Sequence, residues 1–407
     1  MKSLAKERYR SELRKIDWDF TGENGTAGFA AYHWYPARYV PQLAGILINY
    51  FSAPGETVLD PFCGSGTTLV ECYKSGRFAI GIDVNPTAVL MTKAKLVAFD
   101  EKGFSTYADR ILERATSLFS ELLMEQTSAL FAQSEESNVR NAELRNAIPN
   151  YDQNSGWYHP DTLRQLASIW LAIHDLSHSK YYDVGCAAFS AILRYCCSQE
   201  KHWGWICDNV KPKAKDLIYK NAMTKFSEKL REYKMSATNL HLEAAELQDE
   251  QVASTALNVY LGNCVDVLTK FDENSFHLVV TSPPYYNMTD YVSSQRLSNL
   301  WFNSNGNQVR TQEIGARYKR HRITALEEYL RGMRESFSEI TRVLKRGRFC
   351  CVVLGESPSH EPFLNQFEQI CSELGLESCD SLSRRIAQKR SLSPQLQHEK
   401  IFLMKKK

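Results

Sequence analysis

One short run in the chain has residue types suited to chemistry on a base. Thr281-Ser282-Pro283-Pro284-Tyr285 follows directly on the apolar stretch His277–Val280. Proline fixes φ and has no N–H, so a loop with two of them in a row is stiff and leaves carbonyls to accept hydrogen bonds. Ser282 and the Pro283 carbonyl can take the two hydrogens of an exocyclic amino group, and the Tyr285 ring offers a stacking face; Tyr286 is a second candidate. Such an amine is a poor nucleophile, because its lone pair is delocalised into the ring. Acceptors that hold both hydrogens favour a more tetrahedral nitrogen and aim its lone pair at an electrophile. Positioning supplies much of the acceleration in such a transfer, and fixed dipoles stabilise the charge that appears on nitrogen. A base inside a duplex is out of reach, so the target must be flipped out or already unpaired.

A place for the electrophile lies far upstream, in Val58-Leu59-Asp60-Pro61-Phe62-Cys63-Gly64-Ser65-Gly66-Thr67-Thr68. Gly64 and Gly66 follow a strand-like run and precede a helix. Glycine lets the backbone turn tightly and approach a ligand closely, and in open α/β sheets such turns lie at the carboxyl ends of strands, where ligands bind. Asp83 ends the next strand, a natural place for a carboxylate to hold ribose hydroxyls. A dinucleotide site is the rival reading, but Leu69 stands where its third glycine belongs, so GxGxxG fails, and no GxxxxGK[ST] loop occurs.

Together the two strings resemble the amino-group DNA methyltransferases of the Ser-Pro-Pro-Tyr type, which methylate N4 of cytosine or N6 of adenine from S-adenosylmethionine. The resemblance covers Ala31–Val97 and Asn258–Lys405. It implies a catalytic loop of Ser282, Pro283, Pro284 and Tyr285. It also implies a cofactor site of Asp60, Pro61, Phe62, Gly64, Ser65, Gly66 and Thr67, in which Asp60, Phe62, Gly64 and Gly66 surround the methionine end and Asp83 binds the ribose. His33-Trp34-Tyr35-Pro36-Ala37-Arg38 resembles the upstream segment that closes over the cofactor, which puts Tyr35, Pro36 and Ala37 beside it. Where the family often has Asp near the adenine, this chain has Asn263, whose amide can both donate and accept. In the family a Ser at the first loop position goes mostly with cytosine, and Asp or Asn mostly with adenine; Ser282 therefore favours cytosine N4. Carbon-5 methylation is set aside, since it needs a nucleophilic cysteine and no Pro-Cys dipeptide occurs.

The elements that must position these residues follow from hydrophobic patterning. Glu56–Asp60 and Phe78–Asp83 read as short buried strands around a helix at Thr67–Ser75, and Val40–Phe51 as an amphipathic helix before them. Leu257–Leu261, His277–Thr281, Arg348–Leu354 and Lys400–Lys405 read as further strands. Asn263–Leu268, Leu326–Leu344 and Glu361–Leu374 read as helices. Strands alternating with helices predict an α/β fold with a doubly wound, Rossmann-like methyltransferase sheet. Between its second and third strands, Tyr107–Leu130, Pro160–Leu176, Gly185–Cys197 and Lys213–Tyr233 have helical spacing, while Ser134–Asn150 and Ser236–Glu250 read as linkers or exposed helices. The expected organisation is a catalytic domain from residues 1–100 and 255–407, with a large helical insertion over 101–254. The motif order resembles that of the subgroup whose target-recognition region lies between the two motifs, which implies that role for the insertion.

Bulk properties set outer bounds. The 407 residues are 43% apolar, ample for a core. With 49 basic and 47 acidic residues there is no overall basic excess, so a nucleic-acid surface must come from local asymmetry. Arg317, Lys319, Arg320 and Arg322 form one cationic cluster after the catalytic loop, suited to phosphates beside a flipped base. Arg384-Arg385 with Lys389-Arg390 form a second, and the helical block is locally basic around Lys211–Arg231, behind Trp203 and Trp205. The 11 cysteines include no CxxC pair, which reads as reduced thiols with no metal site. No signal-like apolar run opens the chain and no stretch approaches the ~18 apolar residues of a membrane span. The expectation is a cytoplasmic protein with no membrane and no metal.

The preferred reading is a site-specific enzyme acting on double-stranded DNA, the modification half of a restriction or defence system with a cognate endonuclease as partner. Methylation of adenine N6, methylation of RNA in the manner of tRNA guanine-N2 enzymes, and a DNA-binding subunit on an inactive fold stay open at this point.

Overall fold

Both motifs sit at the ends of neighbouring parallel strands. The computed structural model describes residues 11–20, 28–36, 39–131, 145–198, 211–247, 257–286, 288, 290–304, 306–319, 321–356, 361–386 and 397–407. Seven strands form one sheet: β1 (Thr57–Asp60), β2 (Phe78–Asp83), β3 (Leu257–Leu261), β4 (Phe276–Thr281), β5 (Leu344–Glu356), β6 (Leu376–Arg385) and β7 (His398–Lys406). Their order is β3-β2-β1-β4-β5-β7-β6. β1 pairs in parallel with β2 and β4, β2 with β3, and β4 with β5, while β7 runs antiparallel between β5 and β6. Strand order reverses between β1 and β4, and the crevice outside the carboxyl ends of the strands at such a point is where open α/β sheets bind ligands.

The central strands alternate their burial between two cores, as the two-residue period of a strand requires. Leu59, Val279, Cys350, Val352 and Phe402 face helices α9 (Ala325–Val343) and α10 (Glu361–Glu373), where Tyr329, Met333, Phe337 and Phe367 pack on them. Val58, Leu278, Val280, Cys351 and Leu403 face α1 (Pro41–Phe51) and α2 (Thr67–Lys74). In α1 the buried Leu43, Ala44, Leu47, Ile48 and Phe51 recur at helical spacing. The doubly wound sheet expected from the sequence is therefore present.

Two of the longer elements escape the sequence reading. Helix α3 (Pro86–Lys95) opens with Asn85, whose side chain caps the N–H of Thr87, and with proline in the first turn, both helix-start signals. Its residues are buried nearly all round, so no amphipathic stripe marks it. Strand β6 is an edge strand. Leu376, Cys379 and Leu382 point inward while Glu377, Ser378, Ser381 and Ser383 are exposed, and so polar a face leaves no apolar run to read. β5 and β7 also run longer than the apolar cores that announced them.

The helical block comprises α4 (Glu101–Phe131), α5 (Pro160–Asp175), α6 (Tyr182–Cys196) and α7 (Ala222–Leu247). The helix expected over Lys213–Tyr233 starts later and runs further, so α7 takes in most of Ser236–Glu250, the helical of the two alternatives for that stretch. Phe104, Leu166, Phe189, Phe226 and Tyr233 of this block share one core with Phe29, Tyr32 and Ala94 of the flank of the sheet and with Leu297 and Trp301. Tyr233 donates to the carbonyl of Ala94 at 2.9 Å. Trp301, on the short helix α8 (Arg296–Trp301) after the Ser282–Tyr285 loop, packs edge-on to Phe189 at 4.9 Å and against Trp170 at 5.7 Å.

Replacing Trp301 by alanine should therefore lower stability by about 3–5 kcal/mol. A melting curve followed by circular dichroism should shift down in the helical signal, whereas an unchanged midpoint would show that α8 and the block do not share a core.

Candidate active site

Asp60 joins the two motifs. It ends β1, it is 1% exposed, and both of its oxygens are engaged. Thr281, at the end of β4, donates to Oδ1 at 2.7 Å across a sequence separation of 221 residues. The Phe62 N–H reaches the same oxygen at 3.2 Å, and Thr68 in α2 donates to Oδ2. Tyr39 closes the set through a hydrogen bond to Thr68. Asp60 thus braces the two loops from behind and does not line the cleft between them, a correction to its expected place around the methionine end. Burial pushes its carboxyl up to about 6, against the lowering effect of its donors.

In front of this brace lies a partly open cleft. Pro61, Phe62, Gly64, Ser65 and Thr67 form one wall, Asp83 and Asn263 the next, and Ser282 and Pro284 close the far end. Gly64 and Gly66 have φ of +51° and +81°, the left-handed region that suits glycine. A Cβ on Gly64 would stand 3.0 Å from the Tyr35 ring, and one on Gly66 would strike Thr92 at 2.6 Å. Gly66 itself lies behind the wall. Asp83 accepts from the N–H groups of Gly64 and Asn85, both at 2.8 Å. Burial raises its carboxyl to about 6, with a smaller push from the charge of Asp60.

α3 supports the glycine turn from outside. Thr92 donates to the carbonyl of Gly64 at 3.1 Å and the buried Lys95 to that of Ser65. These supports went unread because α3 did. Asn263 caps the next short helix by accepting from the Val265 N–H at 3.0 Å, which leaves its Nδ2 as the group to offer a ligand. Tyr35 lines the cleft, Pro36 is buried behind it, and Ala37 and Arg38 lie outside the described residues. His33 anchors that segment to α6 through Ser190 at 2.8 Å.

The Ser282–Tyr285 loop departs from expectation at Tyr285. Its ring is buried and its hydroxyl donates to Glu399 at 2.8 Å, so in this state it offers no stacking face. Tyr286 packs near Tyr329 and Phe363. The aromatic residues that line the cleft are instead Phe62, Tyr35, Tyr39 and Tyr291, with Tyr35 and Tyr291 stacked at 6.0 Å. Tyr329 donates to the carbonyl of Pro284 at 2.9 Å.

The cationic cluster is only partly available to phosphates. Lys319 donates to the carbonyl of Glu313 at 2.8 Å, and partial burial holds its ammonium below the usual range. Arg322 pairs with Glu328 at 3.4 Å. The Lys319 bond ties down the Gln312-Glu313-Ile314 segment, which lines the cleft and which nothing in the sequence announced. Arg317 is exposed, and Arg320 lies outside the described residues. In the second cluster Arg384 is buried inside β6, while Lys389 and Arg390, like Trp203 and Trp205, are outside the described residues. In the helical block Lys225 and Lys229 pair with Glu228 and Glu232, and Lys211, Lys213 and Lys215 are exposed. No helix among the described residues is long and apolar enough to cross a membrane.

Residues 3–94 match the model of a family described as DNA methylase. The type II methyltransferase M.MvaI of Kocuria varians is 25% identical over 272 residues, 66% of this chain and 56% of that protein. M.BsoBI of Geobacillus stearothermophilus is 23% identical over 296 residues, 68% of this chain and 53% of that protein. The chain therefore spans about half the length of these relatives. Among solved structures, a protein of Thermus thermophilus assigned as a DNA modification methylase, in complex with S-adenosyl-L-methionine, is 20% identical over 35% of this chain and 50% of that one, with a TM-score of 0.23.

The cofactor of such enzymes is S-adenosylmethionine, and the cleft fits it. Asp83 presents a carboxylate at the strand end where ribose hydroxyls would donate. Ser65 Oγ and Asn85 Nδ2 are buried in the wall without a hydrogen-bond partner among the described residues. Buried polar atoms are rarely left so unless something else binds there.

Because Asp83 is raised to about 6, its ionised form is lost as pH falls through that value. Affinity for sinefungin, measured by calorimetry, should weaken about tenfold between about pH 7.5 and about pH 5. Stability of the unliganded fold should move the other way. Asp60 and Asp83 hold protons more tightly folded than unfolded, so stability falls as pH rises from about 4 to about 6. An affinity flat across that range would remove Asp83 from the cofactor site.

Proposed function

We propose that this chain, a relative of the amino-group DNA methyltransferases, transfers a methyl group from S-adenosylmethionine to N4 of a cytosine flipped out of DNA. One observation carries the reading: Ser282 and Pro284 line the same cleft as Gly64, Asp83 and Asn263. The bound cofactor supplies an electrophilic methyl group on a sulfonium. Asp83 orients it by accepting from the ribose, Asn263 Nδ2 donates to the adenine, and the Gly64–Thr67 turn meets the methionine end. Ser282 Oγ and the Pro283 carbonyl accept the two hydrogens of the target amine, which turns its lone pair toward the methyl group. The amine's proton leaves to water after transfer.

Ser282 at the head of the loop supports cytosine over adenine, since an acceptor hydroxyl there matches the pattern of the N4 enzymes. The helical block over residues 101–254 forms the target-recognition region in this account, with Lys211, Lys213 and Lys215 as exposed cations for the phosphate backbone. Arg317, also exposed, is a further cation in this account. Modification of a specific site is the half-reaction that a partner restriction endonuclease would require.

Labelled S-adenosylmethionine with mixed DNA, followed by nucleoside analysis, should yield N4-methylcytosine. N6-methyladenine would overturn the base assignment, and label confined to RNA would overturn the DNA substrate. Ser282→Ala should cut turnover by about 100-fold or more with cofactor affinity nearly intact; equal loss of cofactor binding would make the loop structural only.

A further inference from the structure

Behind the catalytic loop stands a buried ion pair that the proposed chemistry does not use. Arg384 of β6 and Glu399 of β7 are direct cross-strand partners. Their side chains are 3% and 9% exposed, with Nε and Oε2 3.1 Å apart. The contact is close without hydrogen-bond alignment. Burying two charges is costly, and replacing such a pair with apolar residues is often neutral or stabilising. Stability alone therefore does not account for it.

Its position does. The free end of Glu399 accepts from the Tyr285 hydroxyl at 2.8 Å. Ser282 donates in turn to the Tyr285 oxygen at 3.3 Å. Tyr285 is buried, so its hydroxyl has no water to turn toward. A serine hydroxyl left to itself can rotate and either donate or accept. Pointed at an amine hydrogen, its own O–H would repel. Here the carboxylate is acceptor-only, which forces the tyrosine proton toward Glu399 and leaves the tyrosine oxygen to receive the serine proton. The lone pairs of Ser282 Oγ are then directed into the cleft.

We propose that Arg384 and Glu399 are positioning residues for the reaction: through Tyr285 they set the polarity of a hydrogen-bond chain that makes Ser282 an acceptor toward the target amine. Arg384 keeps the carboxylate in place against the outward pull of solvation. Tyr285 acts through its hydroxyl in this chain, and its ring is the spacer that carries it. The proposal rests on the methyl-transfer reading above, but its hydrogen-bond chain is observable without turnover.

Two double variants separate polarity from packing. R384M/E399Q removes both charges and keeps an acceptor for Tyr285, so kcat should stay near wild type. R384M/E399L removes the acceptor at similar volume, so kcat should fall about 100-fold, with KM for S-adenosylmethionine and the melting temperature close to those of R384M/E399Q. Tyr285→Phe should show the same fall, and adding it to R384M/E399L should cost nothing further, because the two changes break one chain. With [13C]tyrosine, the ring signal identified by its loss in Tyr285→Phe should move in both R384M/E399L and Ser282→Ala. Equal kcat in the two double variants, full activity in Tyr285→Phe, or an unmoved resonance would each overturn the proposal. A wild-type protein that methylates no DNA would instead defeat the functional reading, while the resonance would still report the chain.

Discussion

A buried carboxylate cannot remain unsatisfied, and Asp60 is satisfied only if two distant parts of the chain meet. Thr68 comes from the cofactor motif's own helix, and Thr281 is the residue before the catalytic loop. Desolvation opposes the charged form of Asp60, while hydrogen bonds from hydroxyl and backbone donors favour it. Removing a donor would leave a buried acceptor short of a partner, at a cost of about 1–3 kcal/mol. The separation between β1 and β4 along the chain is thus closed at one oxygen pair, and the loops that follow both strands inherit a fixed relation. The cleft exists because the two turns leave the same edge of the sheet on either side of this brace.

Around it, each outer layer contributes a wall. α3 holds the carbonyls of the glycine turn through Thr92 and Lys95, and the cleft side of that turn is left to the ligand. The antiparallel pair β6 and β7 extends the sheet behind the catalytic loop and brings Arg384 and Glu399 to Tyr285. The Gln312–Ile314 segment, tied down by Lys319, lines the cleft as well. The helical block shares its core with α8, which follows the catalytic loop. In the proposed account this continuity lets a DNA-contacting surface move as one piece with the loop that receives the base.

The sequence was most legible where local chemistry and periodicity agreed. The strands Phe78–Asp83 and Leu257–Leu261 were read to the residue, because short apolar runs bounded by turn residues have few alternatives. The cleft residues Phe62, Gly64, Asp83, Asn263 and Ser282 were found because special backbone or polar types sit at strand ends. What stayed hidden depends on partners remote in sequence. Asp60 reads as a ligand until Thr281 is seen against it. Tyr285 reads as a stacking face until Glu399 appears behind it, and Lys319 as a phosphate contact until the Glu313 carbonyl is found in its path. β6 and α3 lack the one-sided apolar pattern that marks an element. Tyr291 opens a four-residue helix and Glu313 lies in a loop, and only tertiary packing brings either to the cleft.

The most direct test of this arrangement is Asp60→Asn, with kcat at saturating S-adenosylmethionine and sinefungin affinity measured on the same folded protein. Asparagine keeps the shape but offers one acceptor oxygen where the carboxylate has two, so Thr68 and Thr281 cannot both be held. The account predicts that binding weakens and that kcat falls even with the cofactor site full, since the two loops lose their common brace. Unchanged kcat at saturation would contradict it, and would mean that the cofactor turn and the catalytic loop are set independently.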